Sequence, residues 1–456
     1  MRVFMLGWEF PPFISGGLGT ACHGLTRALS RSNVAVTFVL PRNAESDEHT
    51  HVRLLGANSL REAVIHTSKN LGGIDSEPQD WANVTFKTVP AGLLSPYQSA
   101  GGSITNLGVG QTAAIGDADI PAGVLHDSPP DSTTAGYRGD LIAESHRYSR
   151  VCVELARGED FDVVHAHDWL TFPAGVAVAA AYRKPLVVHV HSTEFDRSGE
   201  EINQQVYDIE RHGMHSATRV VAVSYLTATI IRYRYGVDPG RINVIYNGIE
   251  SGTGNGRPRA DLEPPSSGIR RTDRIVLYLG RITMQKGPEY FIMAAKKVLR
   301  KIDNVKFVMA GTGDMIRNVI ELAAREGIGH RVLFTGFLRG DDVSRIYRMA
   351  DVYVMPSVSE PFGIAPLEAI RHDVPVIISK TSGVAEVLTH ALKVDFWDTD
   401  DIAEKIIAVL RHPPLSTTLR DHADFEVRRL TWKGAAEKCL SVYEQVAAMS
   451  SSVPTI

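Results

Sequence analysis

The chain has little cysteine and no cysteine motif. Its 456 residues contain three cysteines, Cys22, Cys152 and Cys439, which are widely scattered. A disulfide framework or a cysteine zinc site needs an even or closely spaced set, so the sequence argues against both. We therefore expect reduced thiols and a cytoplasmic protein.

Long apolar runs and a charge excess are also missing. The first apolar run, 3–6, is too short for a signal sequence, and no later run reaches the roughly 18 residues of a membrane span. Lys and Arg total 48 against 52 for Asp and Glu, a net charge of -4. This balance of charges does not indicate binding to nucleic acid or to an acidic membrane surface. The composition predicts a small molecule or a neutral polymer as partner.

What the chain does contain is a repeated alternation of strand-like and helix-like segments. The first series of β-rich runs, each followed by helix-compatible sequence, covers 3–7, 34–40, 161–165, 186–191 and 219–224. A second series has strands near Ile275, Val305, Val332, Val352 and Val376, with its last helix at 400–410. Such alternation is typical of parallel sheets, so the predicted fold class is α/β.

Composition divides the chain into domains. Residues 251–272 are rich in Gly, Pro, Ser and Arg without apolar periodicity, which is typical of an exposed linker. We predict an N-terminal domain over 1–250, a second domain over 273–430, and a helix and tail over 431–456, where apolar residues recur at near-helical spacing. Residues 91–137, dominated by Gly, Ala, Ser and Pro, are predicted as a flexible insertion or a disordered stretch.

The most informative motif is Ser-Glu-Pro-Phe-Gly-Ile-Ala-Pro-Leu-Glu-Ala at 359–369. Gly363 allows close backbone approach and Pro366 is tolerated in a first helical turn, so we predict a helix that begins here with Glu368 in its first turn. In open α/β sheets such helix N-termini bind anions. Glu360 and Glu368 are suited to accept hydrogen bonds from neutral sugar hydroxyls. The motif therefore predicts a nucleotide-sugar site.

Two cations stand at another strand-to-helix junction. Arg281 follows the strand-like run 275–280, and Lys286 follows after a short loop. Taken singly, these could be surface cations, and the two glutamates could be a solvated loop charge and an acid favoured by the helix dipole. Their joint order favours a clamp for a diphosphate.

The loop between the first strand and the first helix is rich in glycine. Gly16, Gly17 and Gly19 would let backbone N–H groups approach a phosphate or a sugar. The spacing is not that of a dinucleotide-binding loop, and a simple tight turn is the alternative interpretation.

Histidines alternate in two of the predicted strands. His165 and His167 are two residues apart, as are His189 and His191, and side chains two apart on a strand share one face. Alternating histidines can bind a metal, but this pattern lacks the carboxylate partner that a zinc hydrolase needs. We predict no metal site.

These motifs resemble the retaining glycosyltransferases of the two-domain GT-B type, the group 1 glycosyltransferases that include glycogen, starch and sucrose synthases. The similarity covers most of the chain, and its strongest motifs are Val223-Ser224, Tyr246-Asn247-Gly248-Ile249, Gly280-Arg281, Lys286-Gly287, Thr335-Gly336, Glu360 to Glu368, Gly383 and Glu386. In the first domain, Gly16-Gly17-Leu18 and His167-Asp168-Trp169 resemble the glucan-synthase branch. The resemblance implies two Rossmann-like doubly wound domains facing across a cleft, with the C-terminal helix crossing back.

The resemblance also implies a role for each candidate residue. The catalytic set it implies is Arg281, Lys286, Glu360 and His167. The donor-binding set it implies is Gly16, Gly17, Glu360, Phe362, Gly363, Ile364 and Glu368. In this assignment the two cations bind the diphosphate and stabilise the departing nucleoside diphosphate, Glu368 holds the ribose, and Glu360 holds the transferred sugar. His167 would lie near that sugar, and Gly17 would approach the diphosphate from the opposite domain.

The chemistry implied is transfer of a hexose, with glucose the first candidate, from a nucleoside diphosphate sugar to an α-glucan with retention of configuration. No cofactor and no metal are implied, because Arg281 and Lys286 replace the charge of a metal ion. The sequence departs from the family's usual residues at two positions. Ile14 stands where many bacterial glycogen synthases have Lys, which weakens the case for ADP-glucose, and Glu250 stands where many relatives have Asp.

Two alternatives stay open. The acceptor could be a smaller sugar, a sugar phosphate or a lipid-linked sugar. From a different class, the chain could be a nucleotide-sugar sensor or a scaffold without turnover.

Overall fold

The computed structural model describes residues 1–11, 16–42, 83–90, 141–250, 269–270 and 272–451. The predicted insertion at 91–137 lies outside the described residues, as does most of the predicted linker at 251–272.

The first domain is built on a seven-stranded parallel sheet with the order β3-β2-β1-β4-β5-β6-β7. Its strands are β1 (Arg2–Leu6), β2 (Ala35–Arg42), β3 (Val84–Pro90), β4 (Val163–His167), β5 (Leu186–Val190), β6 (Arg219–Ala222) and β7 (Ile242–Val244). Its helices are α1 (Gly17–Arg31), α2 (Leu141–Ala156), α3 (Phe172–Tyr182), α4 (Glu194–Ser198), α5 (Gln204–Ser216) and α6 (Tyr225–Tyr235). The order reverses between β1 and β4, so a ligand crevice is expected at the carboxyl ends of these strands.

The second domain repeats the plan with a six-stranded parallel sheet in the order β10-β9-β8-β11-β12-β13. Its strands are β8 (Arg274–Leu279), β9 (Val305–Ala310), β10 (Val332–Gly336), β11 (Val352–Met355), β12 (Val376–Ser379) and β13 (Leu392–Val394). The helices that follow are α7 (Pro288–Leu299), α8 (Ile316–Arg325), α9 (Asp341–Met349), α10 (Ile364–Arg371), α11 (Thr399–Arg411), α12 (Pro413–Val427) and α13 (Trp432–Ser451). Here the switch point lies between β8 and β11.

Both sheets are covered by helices on their two faces. Strands β11 and β12 are buried along their whole length and read as nearly continuous apolar runs. Strands β4 and β5 are equally buried but carry histidines among their apolar residues. Each sheet has one apolar cluster on either side. The predicted α/β architecture of two Rossmann-like domains is confirmed.

The last helix, α13, belongs to the core of the first domain although it follows the second. Trp432 and Tyr443 lie in the apolar cluster formed by α1 and the face of the first sheet. The Tyr443 hydroxyl lies 2.7 Å from Nδ1 of His165 on β4. The prediction that a C-terminal helix crosses back to the first domain is confirmed. The apolar face of this helix packs against that domain.

The two connections between the domains run side by side. Ile249, where the chain leaves the first sheet, donates its N–H to the carbonyl of Leu430 at 2.9 Å. Ile249 also forms an isolated bridge with Thr431, just before α13 begins. The outgoing and returning segments are therefore tied together at one place.

Several elements differ from the sequence-based expectation. The helix predicted at 400–410 is followed by α12, because Pro413 and Pro414 occupy the first helical turn, where their missing N–H groups cost nothing. Strands β3, β7 and β13 were not predicted from the sequence, and β12 is followed by a 3-10 turn, Gly383–Glu386, instead of an α-helix. None of the described helices is long and apolar enough to cross a bilayer.

The contact between α1 and α13 leads to the first prediction. A Cβ atom added at Gly24 would lie 2.2 Å from Cε2 of Trp432, so Gly24→Ala should displace the indole and destabilise the fold by about 1–3 kcal/mol. Thermal or urea unfolding measures this change.

Gly434→Ala is the matched control, because Gly434 also lies in a helix but its added Cβ would be 3.4 Å from Thr431 Oγ1. This variant should be neutral or more stable by about 0.5–1 kcal/mol. Equal unfolding midpoints for both variants would contradict the assigned role of Gly24.

Candidate active site

The candidate residues gather where the carboxyl ends of the two sheets meet. Arg281 follows β8 and Glu360 follows β11 in the second domain, whereas Gly16 follows β1 and His167 ends β4 in the first. Ile364, the first residue of α10, packs against apolar clusters of both domains. The sequence-predicted sites of the two domains therefore face one cleft.

Lys286 and Glu360 form an ion pair inside the second-domain part of this cleft. Lys286 Nζ lies 2.5 Å from Glu360 Oε2, and the Ser357 hydroxyl donates to the same oxygen at 3.3 Å. The backbone of Glu360 is held as well, because its N–H donates to the carbonyl of Thr381 at 3.0 Å and its carbonyl accepts from Gly383 at 2.9 Å. The pair is rigidly placed, and only 7% of Glu360 is exposed.

Gly363 makes the turn from Glu360 into α10. Its φ of 102° and ψ of 87° lie where side chains other than glycine are strained. A Cβ atom here would also approach Glu360 Cγ at 3.2 Å and Met355 Cε at 3.3 Å. The helix begins at Ile364 with no side-chain cap on its N-terminus, which leaves the backbone N–H end and its dipole directed at the cleft.

Glu368 lies in the second turn of α10. The sequence motif predicted Glu368 in the first turn. That prediction is wrong, because the helix begins only after Gly363, at Ile364, and its first turn ends before Glu368. The Tyr347 hydroxyl on α9 lies 3.0 Å from Glu368 Oε2. Burial raises the pKa of Glu368, and the hydrogen bond from Tyr347 opposes the rise. The side chain of Glu368 is thus held in place as a hydrogen-bond acceptor near the N-terminus of α10.

Arg281 lies at the end of β8 beside a buried glutamine. Its Nη2 is 3.5 Å from Oε1 of Gln285, and its carbonyl accepts a hydrogen bond from the Tyr278 hydroxyl at 2.7 Å. Its charge also acts across the cleft on Glu9 of the first domain. Burial raises the pKa of Glu9, while Arg281 and the Gly19 amide lower it.

Glu9 was missed by the sequence analysis. Its side chain is 5% exposed and accepts a hydrogen bond from the Gly19 amide in the first turn of α1. Gly16 is the N-cap of that helix and carries no capping side chain; a Cβ there would lie 2.8 Å from Glu9 Oε2. A Cβ at Gly17 would meet no described atom within 4 Å outside its own helix and its chain neighbours.

His167 belongs to a group of four histidines on one face of β4 and β5. We call His165, His167, His189 and His191 the imidazole cluster. His167 Nδ1 lies 2.9 Å from Nε2 of His191, and neighbouring ring centroids are 4.2–5.4 Å apart. Burial lowers the pKa of His165 and of His191 to about 3. These imidazoles are therefore neutral at physiological pH.

Within the cluster, His191 is partly exposed whereas His167 is fully buried. His191 follows directly after β5, at the edge that faces the cleft. Of the four histidines, only His167 was predicted from the sequence to lie near the sugar, and no role was predicted for His191.

Next to the cluster, Asp168 adopts a left-handed conformation with φ of 59°. Its carboxylate accepts hydrogen bonds from the amides of His191, at 2.7 Å, and Ser192, at 3.3 Å. Burial raises the pKa of Asp168 to about 7. Asp168 thereby ties the loop after β4 to the loop after β5.

Comparison with known proteins identifies the family. Residues 260–424 match the family described as Glycosyl transferases group 1, residues 129–252 match Glycosyltransferase Family 4, and residues 2–95 match Starch synthase catalytic domain. An uncharacterised glycosyltransferase of Methanocaldococcus jannaschii is 32% identical over 297 residues, covering 63% of this chain and 76% of the relative. The chain belongs to the group 1 glycosyltransferases.

Further relatives and a solved structure agree. A glycogen synthase of Mycobacterium tuberculosis is 26% identical and covers 85% of this chain and 80% of its own length. An alpha-maltose-1-phosphate synthase of Mycolicibacterium smegmatis is 28% identical, covering 77% and 96%. Among solved structures, sucrose-phosphate synthase of Thermosynechococcus elongatus superposes with a TM-score of 0.70 at 19% identity, covering 98% and 99%. The family and the GT-B fold that the sequence motifs predicted are thus confirmed, and the chain is a glycosyltransferase of the glycogen, starch and sucrose synthase type.

The domains of this glycosyltransferase are held together by contacts beside the site. Glu386 of the second domain accepts hydrogen bonds from the first two backbone N–H groups of α6, those of Tyr225 at 3.0 Å and Leu226 at 2.7 Å. The Tyr246 hydroxyl donates to the same carboxylate at 2.9 Å. A residue of one domain therefore caps a helix of the other.

Two further polar contacts cross the cleft. Ser224, the N-cap of α6, donates its hydroxyl hydrogen to the carbonyl of Pro361 at 2.5 Å. Ser359 donates to Asp196 of α4 at 2.6 Å. Because Ser359 and Pro361 flank Glu360, closure of the domains and placement of Glu360 are coupled.

The contact of Glu386 with α6 leads to the second prediction. Glu386→Ala should raise the rate of hydrogen exchange at the amides of Tyr225 and Leu226 about 5- to 30-fold, which corresponds to about 1–2 kcal/mol for hydrogen bonds to an exposed charge. Peptide-resolved hydrogen exchange measures this rate.

Glu404→Ala, which removes an exposed glutamate of α11, is the control and should leave these amides unchanged. If both variants exchange at the wild-type rate in this peptide, the carboxylate does not hold the domains together.

Proposed function

We propose that this protein is a retaining glycosyltransferase that moves a hexose, glucose as the first candidate, from a nucleoside diphosphate sugar to an α-glucan. The observation that carries the proposal is the Lys286–Glu360 pair at the uncapped N-terminus of α10. This arrangement places a cation for phosphate, a carboxylate for sugar hydroxyls and a row of backbone donors within one small volume.

The donor would lie across the helix start. Its diphosphate would meet the backbone from Ile364 together with Arg281 and Lys286. The backbone around Phe362 and Gly363 would hold the transferred sugar with Glu360. Glu368, fixed by Tyr347, would accept hydrogen bonds from the ribose hydroxyls. From the first domain, Gly16 and Gly17 would approach the diphosphate and His167 the sugar.

Donor binding requires the Lys286–Glu360 pair to change partners. The ammonium of Lys286 would turn toward the phosphate oxygens, and the carboxylate of Glu360 would accept hydrogen bonds from the sugar. Each charge keeps a polar partner during this exchange, so neither is left buried and alone. Negative charge then grows on the departing diphosphate, where Lys286 and Arg281 stabilise it more strongly than in the ground state.

We favour a same-face route to retention, in which the leaving phosphate helps to deprotonate the acceptor hydroxyl. A double displacement would need a nucleophile beneath the sugar. The carboxylate nearest to His167 in sequence is Asp168, and it is engaged by two backbone amides. In this proposal the positive charge at the leaving group comes from arginine and lysine, so transfer needs neither a divalent metal nor a cofactor. We place the reaction in the cytoplasm.

The acceptor is proposed from the relatives. The glycogen synthase of Mycobacterium tuberculosis matches over 85% of this chain, which supports a glucan. The alpha-maltose-1-phosphate synthase matches at a similar identity over nearly its whole length, which favours a sugar phosphate as the second candidate. A protein of known structure that binds UDP-glucose, Anabaena HepE, has the same fold at 17% identity with a TM-score of 0.63.

A four-way assay tests the function. Purified protein is incubated with UDP-glucose or ADP-glucose, with glycogen or glucose 1-phosphate as acceptor, and released nucleoside diphosphate and labelled product are measured. We expect release that depends on glycogen and label that an α-glucosidase removes. Release that depends only on glucose 1-phosphate would support the second candidate, and the absence of release with every acceptor would overturn the proposed transfer.

The clamp leads to a further prediction. Lys286→Ala should lower kcat/KM for transfer roughly 10- to 150-fold, because a hydrogen bond to a charged group contributes about 1.5–3 kcal/mol. Initial rates of nucleoside diphosphate release measure this loss.

Lys296→Ala is the matched control. Lys296 belongs to the same domain and pairs with Glu326, which lies at the C-terminal end of α8, away from the cleft. An unchanged kcat/KM in Lys286→Ala would refute the clamp while leaving the fold assignment intact.

A further inference from the structure

The imidazole cluster is more than a set of packed aromatic rings. His167 of β4 is paired in register with His189 of β5, so the alternating histidines of both strands lie on the same face of the sheet. Cys22, in the second turn of α1, packs against that face and is fully buried. Five groups that can ligate a metal ion therefore converge from three elements.

Several ring nitrogens in this cluster lack a hydrogen-bond partner among the described residues. They are Nε2 of His165, Nε2 of His167, and both ring nitrogens of His189. Each of these three side chains is at most 2% exposed. An unpaired buried polar atom costs about 1–3 kcal/mol, and such atoms normally find a protein group, a water or an ion.

Three of these groups lie close enough together to reach one metal ion. Cys22, His167 and His191 each offer a ligand atom, and these three atoms lie within 4.8 Å of one another. Around a tetrahedral zinc ion, such atoms are roughly 3.3–3.6 Å apart, given bond lengths of about 2.0–2.3 Å. Binding would require the side chains to rotate to this spacing and would replace the contact between His167 Nδ1 and His191 Nε2. We propose that Cys22, His167 and His191 bind one divalent metal ion of the zinc class, with a fourth position left for water.

A second group, His165, His167 and His189, meets the same distance limit. Each of its members is at most 2% exposed, so none of the three offers an entering ion an exposed ligand. His191, in contrast, is partly exposed and gives an ion access from the cleft. Thiolate and imidazole together also favour zinc over harder cations.

Neighbouring side chains hold the proposed ligands in place. Asp168 accepts a hydrogen bond from the backbone N–H of His191 at 2.7 Å, and the ring of His189 stacks on that of His191 with their centroids 4.2 Å apart. Partners of this kind orient metal ligands.

Binding releases one proton. The Cys22 thiol loses its proton to solvent as the sulfur–metal bond forms, while the two histidines bind through neutral ring nitrogens. If the donor assignment above is right, an ion here occupies His167 and inhibits transfer. This consequence rests on the proposed function, but the metal site itself does not.

Cobalt spectroscopy tests the site directly. Reduced, untagged protein is equilibrated with Co²⁺, excess metal is removed, and the bound metal per chain and the absorption spectrum are recorded. We expect one Co²⁺ per chain, a thiolate-to-cobalt charge-transfer band, and intense d–d bands of a four-coordinate ion. Zn²⁺ should displace the cobalt and remove both features.

Variants assign the ligands. Cys22→Ser should abolish the charge-transfer band and weaken Co²⁺ binding at least about tenfold. Cys152→Ser, which changes another buried cysteine of the first domain, should leave both unchanged. His191→Gln, at the partly exposed position, provides a second test should Cys22→Ser fail to fold.

Three results would overturn the proposal. They are the absence of retained metal in wild type, a cobalt spectrum without a thiolate band, and binding that survives Cys22→Ser and His191→Gln but is lost in His165→Gln. The last would place the ion at the second histidine group. If metal is retained and transfer is lost, both the site and the proposed inhibition are supported. If metal is retained and transfer is unchanged, the site stands and the proposed inhibition is wrong.

Discussion

The pairing of the two interdomain connections is the constraint on which the rest of the structure depends. Ile249 and Thr431 lie side by side where the chain leaves and re-enters the first domain, so the two sheets cannot separate freely. A relative motion of the two domains would have its hinge here. The contacts of Glu386 with α6 and of Ser359 with α4 lie on the moving surfaces, which makes them the natural contacts to form and break during closure.

Much of the second-domain site could be predicted from the sequence because its parts are local. Glu360, Gly363 and the start of α10 lie within five residues, and Lys286 lies in the loop after the first strand of that domain. Strand-to-helix junctions of parallel sheets converge by topology, so order along the chain was sufficient to bring them together. Even here the position of Glu368 was one turn off, because helix boundaries depend on backbone geometry at Gly363.

The parts that could not be predicted depend on contacts between distant segments. Glu9 acts on Arg281 across the cleft, and Cys22 meets histidines about 145–170 residues further along the chain. No local pattern marks such pairs, since each residue alone is compatible with an ordinary core or loop position. Similarly, α12 begins with two prolines, which resemble a loop in sequence and become tolerable only at a helical first turn.

The position of α13 has a consequence for biosynthesis. The apolar face of the first sheet is completed by Trp432, Cys439 and Tyr443, which follow the second domain along the chain and are therefore synthesised after it. Domains usually fold in order of synthesis, but here the first domain emerges with one face of its core uncovered. It must remain incomplete until the second domain and its final helix have been made. Translation speed and chaperones that shield apolar surface should therefore matter more for the first domain of this chain than for the second.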